Sequence, residues 1–75
     1  MNVEDISDHA WTAVIDGTKP IQFEFLGLQL LTSNLRQRLR LKEITMPVAT
    51  GELKKFLIKY RGLPAAQNDL NKIAR

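Results

Sequence analysis

The chain has 75 residues, no cysteine, one histidine, and a formal net charge of +3 at 44% hydrophobic composition. This size allows one small domain, and the residue types exclude a disulfide framework and a Cys/His zinc site. No apolar run approaches the roughly 18 residues that span a bilayer, and the acidic start is unlike a secretory signal, so we expect a cytoplasmic protein without membrane partners.

Residues 1–9 form an acidic lead that we expect to be mobile within a single domain spanning 1–75. Two runs with alternating apolar residues follow, separated by the turn dipeptide Asp16-Gly17. Alternating runs around a turn glycine are typical of a β-hairpin, and we predict one here. The inward residues of the two runs would be Trp11, Ala13, Ile15, Ile21, Phe23 and Phe25.

Residues 26–43 fit two structures. Leucines 28, 31, 35 and 39 share one helical face, whereas residues 38–42 alternate as a half-buried strand would. Because β-branched residues are almost absent from this stretch, we favour a helix. The alternative is a third strand that extends the hairpin into an antiparallel meander.

A second helix is predicted from Thr50, a plausible N-cap, to a C-terminal glycine at Gly62. Its apolar residues follow helical spacing, and Pro64 suits the first turn of a last helix. The predicted fold is therefore α+β, an N-terminal β-hairpin followed by about three α-helices. The alternative is a three-stranded antiparallel meander followed by two helices.

Charge is divided unevenly along the chain. Residues 1–25 carry five acids and one base, whereas residues 26–75 carry ten bases and three acids. A polarised surface can steer an anionic partner, and Lys and Arg attract phosphates without regard to sequence. The candidate basic rim, or phosphate-contact set, consists of Arg36, Arg38, Arg40, Lys42, Lys54, Lys55, Lys59 and Arg61.

Three apolar residues fall outside the core stripes of the predicted helices. Leu30 and Leu41 point away from the leucine face of residues 26–43, and Ile58 lies beside the stripe of the next helix. A small helix that is apolar on two faces needs a second surface to bury it. These three residues are therefore the predicted protein contact.

Catalytic, metal and cofactor sites are not expected. There is no thiol nucleophile, the two serines lack a plausible triad, and Asp5, Asp8 and His9 lie in the segment predicted to be mobile. A chain this short also has little volume for a small-molecule substrate.

These observations predict a non-enzymatic binding module that acts through protein–protein contact, as a homodimer or an accessory subunit. The alternative is a nucleic-acid-binding regulatory protein that uses the basic residues at 36–42 and 54–61. A spacing that does not fit the helix-turn-helix motif, and the lack of aromatic residues among the bases, count against that alternative.

Overall fold

The computed structural model describes residues 2–75, which form an all-helical domain. The elements are a 3-10 helix at Val3–Asp5 and α-helices α1 (Asp8–Asp16), α2 (Leu26–Arg40), α3 (Met46–Lys59) and α4 (Pro64–Ala74). No strand occurs between residues 2 and 75. The predicted α+β fold with an N-terminal β-hairpin is therefore wrong, and so is the alternative meander.

The first predicted strand is helix α1. Its inward residues are Trp11, Val14 and Ile15, which follow the helical spacing of three and four rather than the alternation of a strand. The Ser7 hydroxyl caps the start of α1 by accepting from the Ala10 backbone N–H at 3.2 Å. Gly17, with φ of 85°, ends α1 in the left-handed conformation, so the turn dipeptide marks a helix end.

The second predicted strand has no regular secondary structure and no partner strand among residues 2–75. Phe23 is buried, Ile21 and Phe25 pack against the core, and the residues between them are exposed, so the alternation reflects one buried side and not a strand. Three of its backbone N–H groups donate to side chains instead of to a neighbouring strand. The Phe23 N–H donates to Gln29 Oε1 at 3.3 Å, and Asp69 accepts the next two N–H groups.

Helix α2 agrees with the favoured interpretation of residues 26–43. Leu28 and Leu35 are fully buried, and Leu31 and Leu39 pack against the core. The helix continues through Arg40, which settles residues 36–40 as helical. Lys42 then adopts a left-handed conformation with φ of 60° in the turn that leads to α3.

Helix α3 begins earlier than its sequence predicts. The N-cap is Thr45 and Pro47 lies in the first turn, where a missing N–H costs nothing. Thr50, the predicted cap, lies inside the helix, and its hydroxyl donates to the Pro47 carbonyl at 3.1 Å. Gly62 is not in the left-handed conformation, whereas Pro64 does begin the last helix.

The core lies between α1 and α3, which pack against each other and each contact both α2 and α4. Val3 and Ile6, within the segment predicted to be mobile, also belong to this core; Met1 lies outside the described residues. Between residues 2 and 75, no helix is long and apolar enough to cross a membrane. The fully buried side chains of the core include Trp11, Ile15, Leu28, Leu35, Leu53, Leu57 and Ile73.

Charged side chains from distant parts of the chain hold three helix ends. Buried Asp69 of α4 accepts from the N–H groups of Glu24 and Phe25 at 2.8 and 2.9 Å, just before α2. Arg36 donates to the last carbonyls of α1, and Lys19 donates to the Ile73 carbonyl of α4 at 2.9 Å and to the carbonyl of the C-terminal residue. Each charge has the sign that favours its helix end.

Candidate protein-contact surface

One side of α2 exposes large apolar side chains. Leu26, Leu30 and Leu41 are 69%, 62% and 60% exposed. They recur at helical spacing with short or polar residues between them, so they form one row along the helix. We call this row the outer face of α2, and its members are Leu26, Leu30, Ser33, Asn34, Gln37 and Leu41.

The outer face exists because the opposite side of α2 already fills the core. Leu28 and Leu35 are inaccessible to solvent, and buried Thr32 satisfies its hydroxyl by donating to the Leu28 carbonyl at 2.9 Å. A helix of 3.6 residues per turn that buries these positions must turn Leu30 outward. The predicted exposure of Leu30 and Leu41 is what the structure has.

Helix α3 extends the apolar surface beside α2. Val48, which is 47% exposed, lies one turn before Glu52 on the side of α3 that meets α2. Glu52 marks that side because it accepts from Arg38 of α2 at 3.2 Å. Val48 therefore lies next to the end of the outer face that carries Leu41.

The other end of the outer face adjoins an aromatic cluster. Phe25 and Phe56 have ring centroids 5.5 Å apart, and Tyr60 lies 5.3 Å from Phe25 and 4.7 Å from Phe56. Gly27 permits this approach, because a Cβ there would lie 3.2 Å from the Phe56 ring. The half-buried rings fix the position of α2 at the point where Leu26 and Leu30 emerge.

Ile58, the third predicted contact residue, lies on a different surface. It is 42% exposed and lines a small groove together with Val3 of the 3-10 helix and Leu70 of α4. Phe56, two residues before Ile58, faces α2. Residues i and i+2 of an α-helix point in directions about 200° apart, so Ile58 faces away from α2. The structure thus brings Leu30 and Leu41 onto one face but not Ile58.

Three of the predicted basic residues hold the fold together. Arg36 donates to the carbonyls of Ile15 and Val14 at 2.8 and 3.1 Å, where it caps α1. Arg38 joins α2 to α3 through Glu52. Lys54 of α3 pairs with Asp8 of α1 at 2.9 Å. These side chains are committed to contacts inside the domain.

The other five predicted basic residues are exposed and form no ion pair among residues 2–75. Lys59 lies 5.4 Å from the Tyr60 ring, a cation–π contact that leaves its ammonium accessible. Arg61 lines the groove that also holds Ile58. The other four lie on α3 and at the C-terminal end of α2, and we use the name basic rim for Arg40, Lys42, Lys55 and Lys59.

Two exposed apolar residues of this surface are not among the residues predicted from the sequence. Leu26 is four residues before Leu30, so helical spacing alone places it on the same face. A helix that starts at Thr50 leaves Val48 in the preceding segment. The observed start at Met46 places Val48 within α3, on the side that meets α2. Because the predicted start of α3 is too late, the predicted surface does not include Val48.

A larger groove of about 820 Å³ runs between α1, residues 20–24 and the flank of α2. Three of its polar side chains are used by the fold. The Gln29 carbonyl accepts from the Phe23 backbone, the Thr32 hydroxyl donates within α2, and Arg36 caps α1. These contacts give the three side chains a structural role.

Comparisons with known proteins add no functional information. No protein-family model matches the chain, and no curated protein or solved structure is significantly similar to it. The outer face of α2 and the basic rim are therefore the features of the structure that bear on its function.

Proposed function

We propose that this protein is a small, non-enzymatic, cytoplasmic binding module that acts through protein–protein contact on the outer face of α2. The observation that carries the proposal is the row of three leucines, each at least 60% exposed, on a helix whose opposite side is fully buried. Single exposed leucines are ordinary, but an aligned row on a well-packed helix is typical of an interaction surface.

The leucines would supply most of the affinity. Burying a leucine side chain contributes about 1.5 to 3 kcal/mol relative to leaving it exposed. The three residues supply apolar contact at the two ends of the outer face, and Ser33, Asn34 and Gln37 lie between them. The module would function as one half of a homodimer or as an accessory subunit.

The basic rim would govern orientation and the rate of association. Rim charges act through the field they project and contribute little net affinity, because they stay hydrated. The rim contains four cations without internal ion pairs among the described residues, so it attracts an acidic approach surface. Charge reversal there should slow association more than it speeds dissociation.

Nucleic-acid binding is the second candidate, and the unpaired basic rim favours it. Phosphate contacts need cations that are accessible, and Arg40, Lys55 and Lys59 meet that requirement. Arg36, Arg38 and Lys54 are already used inside the domain, which reduces the predicted set. The affinity for duplex DNA or RNA would then fall steeply with salt.

Photocross-linking in the cells that produce the protein tests the proposal. Leu30 in the full chain is replaced by p-benzoylphenylalanine, and Asn68, an exposed residue of α4, receives the same replacement as a matched control. We expect protein adducts from position 30 that are missing from position 68. Equal adducts at both positions, or none at either, would show that the outer face is not a contact surface.

The nucleic-acid alternative is tested with the purified protein. Fluorescence anisotropy with a short duplex DNA and a duplex RNA, at low and high salt, compares Lys55→Gln/Lys59→Gln with Leu30→Asp. Salt-sensitive binding that the lysine variant loses and the leucine variant keeps would establish the alternative. Absence of binding at low salt would eliminate it.

A further inference from the structure

The outer face of α2 forms one wall of a shallow groove between α2 and α3, which we call the α2–α3 groove. The groove follows the line along which the two helices meet, and on that line Arg38 of α2 pairs with Glu52 of α3 at 3.2 Å. Residues of an α-helix are about 100° apart around its axis, so Leu30 lies about 80° from Arg38. Because Leu30 is 62% exposed, it lies on the solvent side of this contact and lines the groove.

Helix α3 supplies the opposite wall of the groove. Val48, Lys55 and Lys59 are exposed, and each lies within about 60° of Glu52 around the axis of α3. Buried Leu53 lies about 100° from Glu52 in the other direction, so the three exposed residues lie on the solvent side. One wall of the groove is therefore apolar, and the other carries a valine and two lysines.

The uncompensated charge of the two walls is positive. Helix α2 contains no acid, and Glu52, the one acid of α3, already pairs with Arg38. Lys55 and Lys59 form no ion pair with residues 2–75, and their spacing of four places them one turn apart on the same side. The other two cations of the basic rim lie where α2 ends, beside exposed Glu43. Charge complementarity therefore favours a partner with carboxylates facing α3.

The length of the groove fits a third helix. From Leu26 to Leu41, α2 rises about 22 Å, the length of about four helical turns. An amphipathic helix binds such a groove by laying its apolar stripe along it. Because Ser33, Asn34 and Gln37 separate the leucines, the stripe needs apolar side chains at its two ends and short or polar ones between them. Its acids would lie one turn apart on the side facing α3, where they match the two lysines.

We infer that the partner of this surface is an acidic amphipathic helix of another protein, which docks in the α2–α3 groove. Its apolar stripe covers Val48 and the leucines of the outer face, and its Asp or Glu side chains pair with Lys55 and Lys59. The inference rests on the proposed function, because it names the partner of the same surface. A nucleic acid would leave the apolar wall uncovered, and a second copy would bring an α2 without acids to the lysines.

Selection from a library of helical peptides tests the chemistry of the partner. Each four-turn peptide, displayed on phage, has leucines at the two ends of one face, and the adjoining face is randomised among Glu, Gln and Lys. The bait is the purified full chain. We expect several-fold enrichment of Glu over both Gln and Lys in the bound peptides. Enrichment of Gln or Lys, or the absence of any bound peptide, would overturn the inference.

Variants of the full chain then locate the bound peptide by fluorescence anisotropy. Leu30→Gln should weaken binding about tenfold and Lys55→Gln about threefold, with the lysine effect reduced at high salt. The matched controls are Ile58→Gln and Arg61→Gln on the other surface, which should change binding by less than about twofold. All four residues are exposed, so the variants should fold. Equal losses in test and control variants would show attraction to net charge alone and would overturn the inference.

The two proposals can fail separately. If no Glu-rich peptide is selected while photocross-links from position 30 identify a protein, the acidic helix is wrong and the contact surface remains. Cross-links from position 30 to a second copy of this chain would have the same meaning. If position 30 gives no protein adduct and no peptide depends on Leu30, both proposals are wrong.

Discussion

The two sides of α2 carry similar residues in different surroundings. On the inner side and flank, Leu28 is fully buried and Arg36 caps another helix, so both are held by contacts inside the domain. On the outer face, Leu30 is mostly exposed, and Arg40, next to Leu41 at the other end of α2, has no ion pair within residues 2–75. Residue type therefore does not decide a side chain's role in this domain; its position around the helix does.

The largest expected effect is on the inner side. Leu28→Ala should lower the free energy of unfolding by about 3 kcal/mol, because it leaves a cavity in the core. Leu30→Ala, two residues away, should change it by less than about 0.5 kcal/mol. Urea denaturation at a low protein concentration measures both without a contribution from association. Similar losses in the two variants would mean that the outer face belongs to the fold.

Asp69→Ala should have the next largest effect. The buried carboxylate accepts from the N–H groups of Glu24 and Phe25, and removing it leaves both donors without a partner. We expect a loss of about 2 kcal/mol by urea denaturation. Asn68→Ala, an exposed neighbour on α4, should change stability little and serves as the control. A loss in Asp69→Ala no greater than in the control would refute the capping role.

Two basic residues sharpen the comparison further. Arg36→Gln should cost about 1 kcal/mol, because the guanidinium donates to two carbonyls at the end of α1. Lys55→Gln, which removes an exposed charge of the basic rim, should cost less than about 0.5 kcal/mol. Thermal unfolding of the two variants side by side measures the difference. Equal costs would show that Arg36 is no more committed to the fold than the rim.

The smallest effect concerns Asp16 at the end of α1. Hydrogen bonds from the Thr18 side chain and backbone N–H lower the pKa of Asp16 below its ordinary value of 3.8. Because the pKa is lower in the folded state, the stability that these hydrogen bonds contribute is present at a pH above the unfolded-state pKa. It is lost as the pH falls through the folded-state pKa. A carboxyl NMR titration should find the midpoint below 3.8, and Thr18→Ala should raise it. A midpoint unaffected by that substitution would exclude the Thr18 side chain as a cause.

Helical spacing carried most of what the sequence predicted correctly. The inward leucines of α2 and the exposure of Leu30 and Leu41 follow from a period of 3.6 residues over a long stretch. The β-hairpin prediction is wrong because a short run such as residues 11–15 fits both the two-residue period of a strand and the 3.6-residue period of a helix. The alternation at 21–25 was real, but it indicates one buried side and says nothing of a partner strand.

Long-range contacts explain the remaining errors. Asp69 lies more than forty residues from the N–H groups it accepts from. Its neighbours in the sequence therefore give no indication that it caps α2, and they favour a charge at the end of its own helix or in solvent. Likewise, nothing local distinguishes Arg36 from Arg40, yet one caps α1 and the other is exposed. Whether a charge serves the fold or a partner is decided by tertiary packing.

Sedimentation equilibrium over a range of concentrations tests the central claim most directly, with wild type, Leu30→Asp and Ile58→Asp compared. The homodimer form of the proposed function predicts that the wild-type mass rises from 8.6 kDa towards twice that value with concentration, at low and at high salt. Leu30→Asp should stay at 8.6 kDa, while Ile58→Asp, on the other surface, should behave as wild type. A wild type that remains monomeric would contradict the homodimer form of the proposed function, and a Leu30→Asp variant that self-associates as wild type does would contradict the contact surface on the outer face.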